Sequence, residues 1–434
     1  MLSSRLVERF VLWYYFGMKS YKFRLYPNAE QQELMNKHFG CVRHVFNWAL
    51  DLKQTHYQET QTNLSKSELQ ILLVQSKKSD KPWLTEVNSQ SLLSSLLHLD
   101  TAFVNFFKGR AKFPKFKKKY ASTQSFQCPQ HVRVDFESGL LYLPKFKTGI
   151  KAKFHRRFTG EIKTVTVKRK ASGNYEVSIL VDEAKEPVPS APIILEQTLG
   201  IDLGLTHFLI DSDGHKIDNP RVLRLAAHQL AVAQKILSRK VKGSKNRHKQ
   251  RLRVARIHEH VSNSRLDFLH KVSAQLVYKN HATSFGLEDL NIKGMVKNRT
   301  LAKAISDVSW GKFIELLTYK CLSFGKNVLK IGRFVASSKV CHVCQHKAET
   351  LPLSIRHWDC PACGAVLDRD INAAQNIKRF VIADALGQSV CIKSSPETIL
   401  FSDSVSAKGV VSAENLLPLQ HGSQEAPTIT ALAV

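Results

Sequence analysis

The chain has 434 residues, 43% of them hydrophobic, which supports several domains with cores of their own and excludes a disordered protein. A formal net charge of +28 exceeds what catalysis on small metabolites requires and points to polyanionic partners, nucleic acid ahead of a membrane surface. No apolar run approaches the roughly 18 residues of a membrane-spanning helix, and the eight cysteines lack disulfide-framework spacing, which fits a reducing compartment such as the cytoplasm.

Residues 1–17 read as an extension. The stretch from Phe10 to Gly17 is apolar but short and is followed by no small-residue cleavage site, so it is non-targeting, and Met18 is the expected native start. Tyr21, Phe23 and Leu25 then alternate with Lys22 and Arg24 up to Pro27, the pattern of a half-exposed strand closed by a proline turn. Asn28 caps a helix from Ala29 in which Leu34, His38, Cys41, Val42, Val45, Phe46, Ala49 and Leu50 recur at helical spacing. Segments 65–74 and 89–107 add further helices, giving a small bundle.

Residues 108–120 place seven Lys and Arg among Phe113, Phe116 and Tyr120, with a break at Pro114 and no acid. A solvated charge run is the ordinary fate of such a stretch. The interleaved aromatics favour a surface that tracks phosphates and stacks bases, with Lys112, Phe113, Lys115, Phe116 and Lys117 as its contacts.

From 125 to 181 the pattern turns to short alternating strands, at 132–136, 140–143, 164–169 and 175–181, with turns at Ser138-Gly139 and Ser172-Gly173-Asn174. This predicts a small antiparallel barrel or sheet that takes in the strand at Tyr21, making the helical bundle an insertion. A proline-rich linker follows at 183–192. The stretch 198–210, followed by a turn at 211–214 and a third strand, carries Asp202 in mid-strand on the face opposite Leu199, Ile201 and Leu203, between Gly200 and Gly204, an unusual place for a carboxylate unless backbone or ligand approaches closely. Two long helices occupy 221–280. Their join holds ten Lys and Arg and no acid from Lys235 to Arg256, so Lys245, Arg247, Arg251 and Arg253 are expected along a phosphate backbone. Another strand at 283–290 turns Phe285 and Leu287 inward and Glu288 outward. A helix at 309–324 and a strand at 328–331 come next.

Cys341 and Cys344 form one Cys-x-x-Cys pair and Cys360 and Cys363 a second, 15 residues on. Two such knuckles brought face to face by a hairpin make a tetrahedral thiolate cage for zinc. Four thiolates saturate that site, which leaves His342, His346 and His357 as surface or packing residues. The insert runs into Asp368 and Asp370, where a helix opens that buries Ile371, Ala374, Ile377 and Phe380 on one face and carries Asn372 and Asn376 on another. Residues 381–434 hold two basic and five acidic side chains without periodicity, the composition of a disordered tail.

Asp202, Glu288 and Asp370 therefore stand out together. Hydrolysis of a phosphodiester with two divalent metals needs such a set of hard oxygen ligands for Mg²⁺ or Mn²⁺. Singly, each is ordinary: an outward acid on a strand is usually solvated, and an aspartate at a helix start is usually a cap. Asp368 is the rival to Asp370.

GlyIleAspLeuGly (200–204), LeuGluAspLeuAsn (287–291), the paired Cys-x-x-Cys motifs and AspArgAspIleAsnAlaAlaGlnAsnIle (368–377) resemble the signature of the transposon-encoded TnpB/OrfB family, relatives of the type V CRISPR effectors. TyrLysPheArgLeuTyrPro (21–27) and PheProLysPheLys (113–117) are similar to it too, and the resemblance spans about residues 18–380. It implies an α/β multidomain protein, a transposon-encoded RNA-guided DNA endonuclease. An RNase H-like, RuvC-type nuclease domain (195–335 and 366–380) would use Asp202, Glu288 and Asp370 as catalytic ligands of Mg²⁺ or Mn²⁺. A zinc ribbon (336–365) with a structural Zn²⁺ on Cys341, Cys344, Cys360 and Cys363 would be inserted in it. A wedge-type β-barrel (18–28 and 120–190) would carry an inserted helical recognition bundle (29–119). The implied partners are a guide RNA from the transposon end, target DNA and a companion transposase, with no membrane. A guided DNA-binding regulator without cleavage and a transposase performing strand transfer are the alternatives.

Overall fold

The computed structural model describes residues 17–120, 123–186, 188–333, 335–352 and 354–387; the N-terminal extension up to residue 16 and the tail from residue 388, with the expectations attached to them, lie outside the described residues. The chain divides into two compact units, Met1–Pro187 with Ala226–His260, and Val188–Leu225 with Val261–Val434. No helix among the described residues is long and apolar enough to cross a membrane.

The first unit begins with β1 (Met18–Tyr26), whose alternation sends Tyr21, Phe23 and Leu25 inward to 5% exposure or less. Pro27 stops the strand. Asn28 then starts α1 (Ala29–Thr60) with a reciprocal cap: its Oδ1 accepts from the Gln31 amide at 2.8 Å and its amide donates to Gln31 Oε1 at 3.0 Å. Helices α2 (Lys66–Lys78) and α3 (Ser89–Phe107) complete the helical insert. The chain returns through β2 (Gln124–Cys128), β3 (Arg133–Asp135), β4 (Leu140–Tyr142), β5 (Ile150–Lys153), β6 (Glu161–Arg169) and β7 (Tyr175–Asp182).

These strands make one antiparallel sheet in the order β2-β6-β7-β1-β5-β4-β3, with β1 hydrogen-bonded between β7 and β5. The order has two ends, β2 and β3, so the expected barrel is an open half-barrel. Strands β2 and β5 add to those read from the sequence; β2 has little apolar alternation, and β5, though Ile150 and Ala152 alternate with Lys151 and Lys153, is only four residues long. One hydrophobic core joins sheet and helices, with Phe23, Phe126, Met35, Leu50 and Leu92 at its centre.

The second unit is built on a five-stranded sheet, order β10-β9-β8-β11-β12. Its strands are β8 (Thr198–Asp202), β9 (His207–Asp211), β10 (Lys216–Asp218), β11 (Ser284–Glu288) and β12 (Asn327–Ile331). The first three form an antiparallel meander, and β11 and β12 add in parallel to β8. Two long helices separate β10 from β11: α4 (Val222–Ser238) and α5 (Lys245–Lys279), each of which passes from one unit into the other in the chain. Short helices α6 (Ile292–Met295) and α7 (Ala302–Val308) precede α8 (Trp310–Ser323). Leu199, Ile201, Phe285 and Leu287 turn one sheet face to a core shared with α8 and the end of α5. On the other face lies the last helix, α9 (Arg369–Ala385). It runs to Ala385, so residues 381–385, expected to belong to the tail, are helical.

Candidate active site and metal centre

The parallel register Leu287↔Ile201 brings the next residues, Glu288 and Asp202, side by side at the carboxyl ends of adjacent strands. Strand alternation puts them on the face occupied by α9, together with Gly200 and Gly286, which are register partners of each other. A Cβ built on Gly200 would fall 2.0 Å from the carbonyl oxygen of Ala374, and one on Gly286 would fall 2.8 Å from Val381 Cγ2. The two glycines are thus the seat of α9, and the close approach expected at Gly200 is made by backbone of the same chain. So seated, α9 delivers Asp370 in its first turn toward the two strand ends.

The electrostatics record the convergence. Burial, reinforced by the negative charges of Glu288 and Asp370, pushes the Asp202 carboxyl from 3.8 up to about 7. Glu288 Oε1 accepts from Ser337 Oγ. Asp370 receives Arg356 Nη1 at 3.0 and 3.4 Å. Arg356 lies between the two cysteine pairs, and no sequence pattern singles it out.

Asp368, the rival, is occupied. Its Oδ1 accepts from the amides of Asp370 and Ile371 at 3.0 and 3.1 Å, capping α9, and its Oδ2 accepts from Lys216 Nζ at 2.6 Å. Burial opposes its ionisation, but Lys216 and the helix amides outweigh that and hold its carboxyl below the usual range.

The four cysteines meet. Cys341 Sγ lies 3.8 Å from Cys363 Sγ and Cys344 Sγ 3.5 Å from Cys360 Sγ, and all four sulfurs fall within 4.8 Å of one another. A tetrahedral zinc with Zn–S of about 2.3 Å sets its sulfurs roughly 3.8 Å apart, so the donor set and its spacing fit that ion. Among the described residues no set of three carboxylates is gathered as tightly. One knuckle is closed by a Val340↔Lys347 bridge, the other by a hairpin of β13 (His357–Asp359) and β14 (Val366–Asp368). Asn372 and Asn376, on a second face of α9, are as buried as its apolar side chains, at 1% and 0% exposure. Asn372 Nδ2 donates to Val340 O at 2.8 Å and its Oδ1 accepts from the His342 amide at 2.8 Å, while Asn376 Nδ2 donates to Ser337 O at 2.8 Å. The carboxylate helix and the first knuckle are therefore one piece.

The basic residues divide. Lys112, Phe113, Lys115 and Phe116 are exposed. Lys117 is exposed too, with its ammonium 3.8 Å from the Phe46 ring centroid. In the first unit Arg247 Nη1 donates to the carbonyls of Leu237 and Lys240 at 2.8 and 2.9 Å, joining α4 to α5, whereas Lys245, Arg251 and Arg253 are exposed. Glu259 pins this basic half of α5 to the sheet: it accepts from Asn174 Nδ2 at 2.6 Å and pairs with Lys170 at 3.1 Å.

A sheet with two parallel and three meandering strands, acids at adjacent strand ends and four cysteines brought together before the last helix define an α/β protein with neighbouring carboxylates and an insert whose donor set fits a metal. Family models match at 178–299 (OrfB_IS605, "Probable transposase"), 310–377 ("Cas12f1-like, TNB domain") and 18–62 ("Helix-turn-helix domain", here a strand and one helix). The chain is 38% identical over 376 residues, 86% of its length and 90% of the relative's, to a Streptomyces pristinaespiralis protein described as a "Putative RNA-guided DNA endonuclease". It is 33% identical over 378 residues to InsQ of Escherichia coli K12, described in the same words, covering 83% of this chain and 91% of InsQ. The chain belongs to the transposon-encoded TnpB/OrfB family. Among solved structures it is similar to Cas12f1 in a complex with sgRNA and target DNA, at a TM-score of 0.51 and 14% identity over 81% of this chain and 83% of that one, which is a likeness of fold.

Proposed function

We propose that this chain is a transposon-encoded, RNA-guided DNA endonuclease whose second unit is an RNase H-like, RuvC-type nuclease domain with Asp202, Glu288 and Asp370 as its catalytic carboxylates. The observation that carries the reading is the placement of three acids from two adjacent strand ends and one helix start, so close that two of them raise the proton affinity of the third. Three like charges at one spot, with Arg356 on Asp370 as their partial counter-charge, are costly to a fold and ordinary in a cation site. The strand order β10-β9-β8-β11-β12 followed by a packed helix supports the RNase H-like assignment, and the relatives' descriptions supply guide and target.

Mg²⁺ or Mn²⁺ held by these carboxylates would activate water and steady the leaving oxygen of the scissile phosphodiester. The chain's own residues bind and orient. Asp202 and Glu288 are fixed by the sheet register, Ser337 orients Glu288, and α9 on its glycine seat carries Asp370. Arg356 holds Asp370 in place. Zn²⁺ in the four-cysteine cage would staple the insert that Asn372 and Asn376 tie to α9. In the first unit, the open half-barrel and its helical insert are the wedge and recognition parts, and exposed Lys112, Lys115, Lys245, Arg251 and Arg253 contact phosphates. Guide RNA and target DNA are the partners.

The test uses the full chain purified with its co-purifying RNA, which is sequenced to define a matching target flanked by randomised DNA. With Mg²⁺ the wild type is expected to leave free double-strand breaks, and Asp202→Ala, Glu288→Ala or Asp370→Ala each to reduce cleavage by roughly 10³-fold or more. Cleavage that survives all three substitutions rejects the site, and joined product ends would mark strand transfer instead.

A further inference from the structure

Residues 107–120 form a strap whose backbone is fixed at both ends while most of its rings and charges face outward. At its start α3 ends on Gly109, φ 66°, whose amide donates to Phe106 O at 2.9 Å, and the Arg110 and Ala111 amides both donate to Asn105 O, at 2.9 and 3.1 Å. Toward its far end Asn47 of α1 clasps Lys117 in both directions: Nδ2 donates to Lys117 O at 3.0 Å and Oδ1 accepts from Lys117 N at 2.7 Å. Pro114 between them is buried.

The side chains behave oppositely. Phe107 and Tyr120 are each 78% exposed and Phe116 49%, a usual condition for lysine and an unfavourable one for three rings on a single short segment. Phe113, expected from the sequence to stack on a base, is held edge-on by Phe103 and Phe106, with ring centroids 5.5 and 5.3 Å away, and so braces the cluster under Phe107. Lys108, Arg110, Lys112, Lys115, Lys118 and Lys119 are exposed and form no ion pair among the described residues. No acid occurs between Asp100 and Asp135.

Charge selects the occupant. A second copy of this chain would bring another +28 against the strap, and an apolar protein segment would leave six cations without partners. Unpaired nucleotides supply a π-face for each ring and a phosphate for each cation, whereas a duplex keeps its bases stacked on one another. The strap is in place in the protein alone, ready for the strand that binds before any target. We infer that it is a stacking platform for unpaired nucleotides of the guide RNA, with Phe107, Phe116 and Tyr120 as its free faces. This rests on the RNA-guided reading above and is tested by binding, apart from cleavage.

Full-length protein carrying Asp202→Ala is titrated with a fluorescent oligouridylate of about a dozen nucleotides, an oligothymidylate of the same length and a blunt RNA duplex. Changing Phe107, Phe116 and Tyr120 together to Leu keeps apolar bulk and removes the π-faces. It is expected to weaken oligouridylate binding on the order of 100-fold while duplex binding and the salt dependence stay as in the parent. Because the rings are exposed, the circular dichroism melt should not move; if it does, Tyr120→Leu alone carries the comparison at about 10-fold. Unchanged oligouridylate binding, an equal loss on the duplex, or a larger loss on oligothymidylate overturns the inference. A wild type that cuts no target while the ring variant still loses oligouridylate would reject the nuclease reading and leave the platform standing. A cutting wild type whose ring variant keeps its RNA would do the reverse.

Discussion

Asp202 shows how a residue can be costly to the fold because of where it must sit. Burial and two neighbouring carboxylates raise its pKa from 3.8 to about 7, so the folded chain holds that proton more tightly than the unfolded one. Stability from this group is therefore lost as pH rises from about 4 to about 7, and the whole cost is present above that window. Asp202→Asn removes it. In EDTA at pH 8 the variant should be more stable than wild type, on the order of 2–4 kcal/mol, with the difference shrinking as pH falls toward 4 and with cleavage abolished. Thermal melts across that range check it; a wild type as stable as the variant at pH 8 would mean that the acids do not strain one another. Glycines give a second contrast. Gly200→Ala must push α9 off the sheet, since its Cβ has 2.0 Å to a carbonyl oxygen, and is expected to destabilise by about 3 kcal/mol and to silence the site through Asp370. Gly40→Ala, inside α1 with nothing within 4 Å, should stabilise by about 0.5–1 kcal/mol. Denaturant melts read both signs.

At the scale of the element, α9 explains what was legible and what was not. Spacing displays the Cys-x-x-Cys pairs, and local pattern displays an acid on each of two strands and at a helix start, because these depend on neighbours in sequence. The seat formed by Gly200 and Gly286, the engagement of Asp368 by the α9 amides and Lys216, and the bond from Arg356 arise only when distant segments meet. Asn372 and Asn376 are the plainest case. Polar side chains one helical turn apart read as an exposed stripe, yet both are buried because they satisfy carbonyls of the first knuckle, Val340 and Ser337. Asn376→Leu takes this donor from Ser337 O, while Val340 O keeps the Asn372 amide, and should cost about 1–3 kcal/mol. It should also speed release of metal from the cysteine cage to a chelator, followed with a chromogenic zinc indicator. Release at the wild-type rate would show cage and helix to be independent.

For the whole molecule, the charge of +28 sets how tightly and how salt-dependently it binds nucleic acid, but the count of cations overstates the contacts. Arg247 is committed to the carbonyls of Leu237 and Lys240, so it is not free for a phosphate. Lys245, Arg251 and Arg253 are exposed, Arg251 with His248 Nδ1 beside it at 3.3 Å, on a helix that Glu259 anchors to the first unit's sheet. Two substitutions that remove the same charge from the same helix should then act differently. Arg251→Gln is expected to lower the slope of log affinity against log salt by about 1, with an unchanged melting temperature. Arg247→Gln should leave that slope almost unchanged and destabilise by about 1–3 kcal/mol, because two carbonyls lose their donor. Titrations of labelled RNA at several salt concentrations, paired with melts of the same preparations, separate the outcomes. Equal slopes for the two variants would mean that cations on α5 act as a diffuse field rather than through individual phosphates.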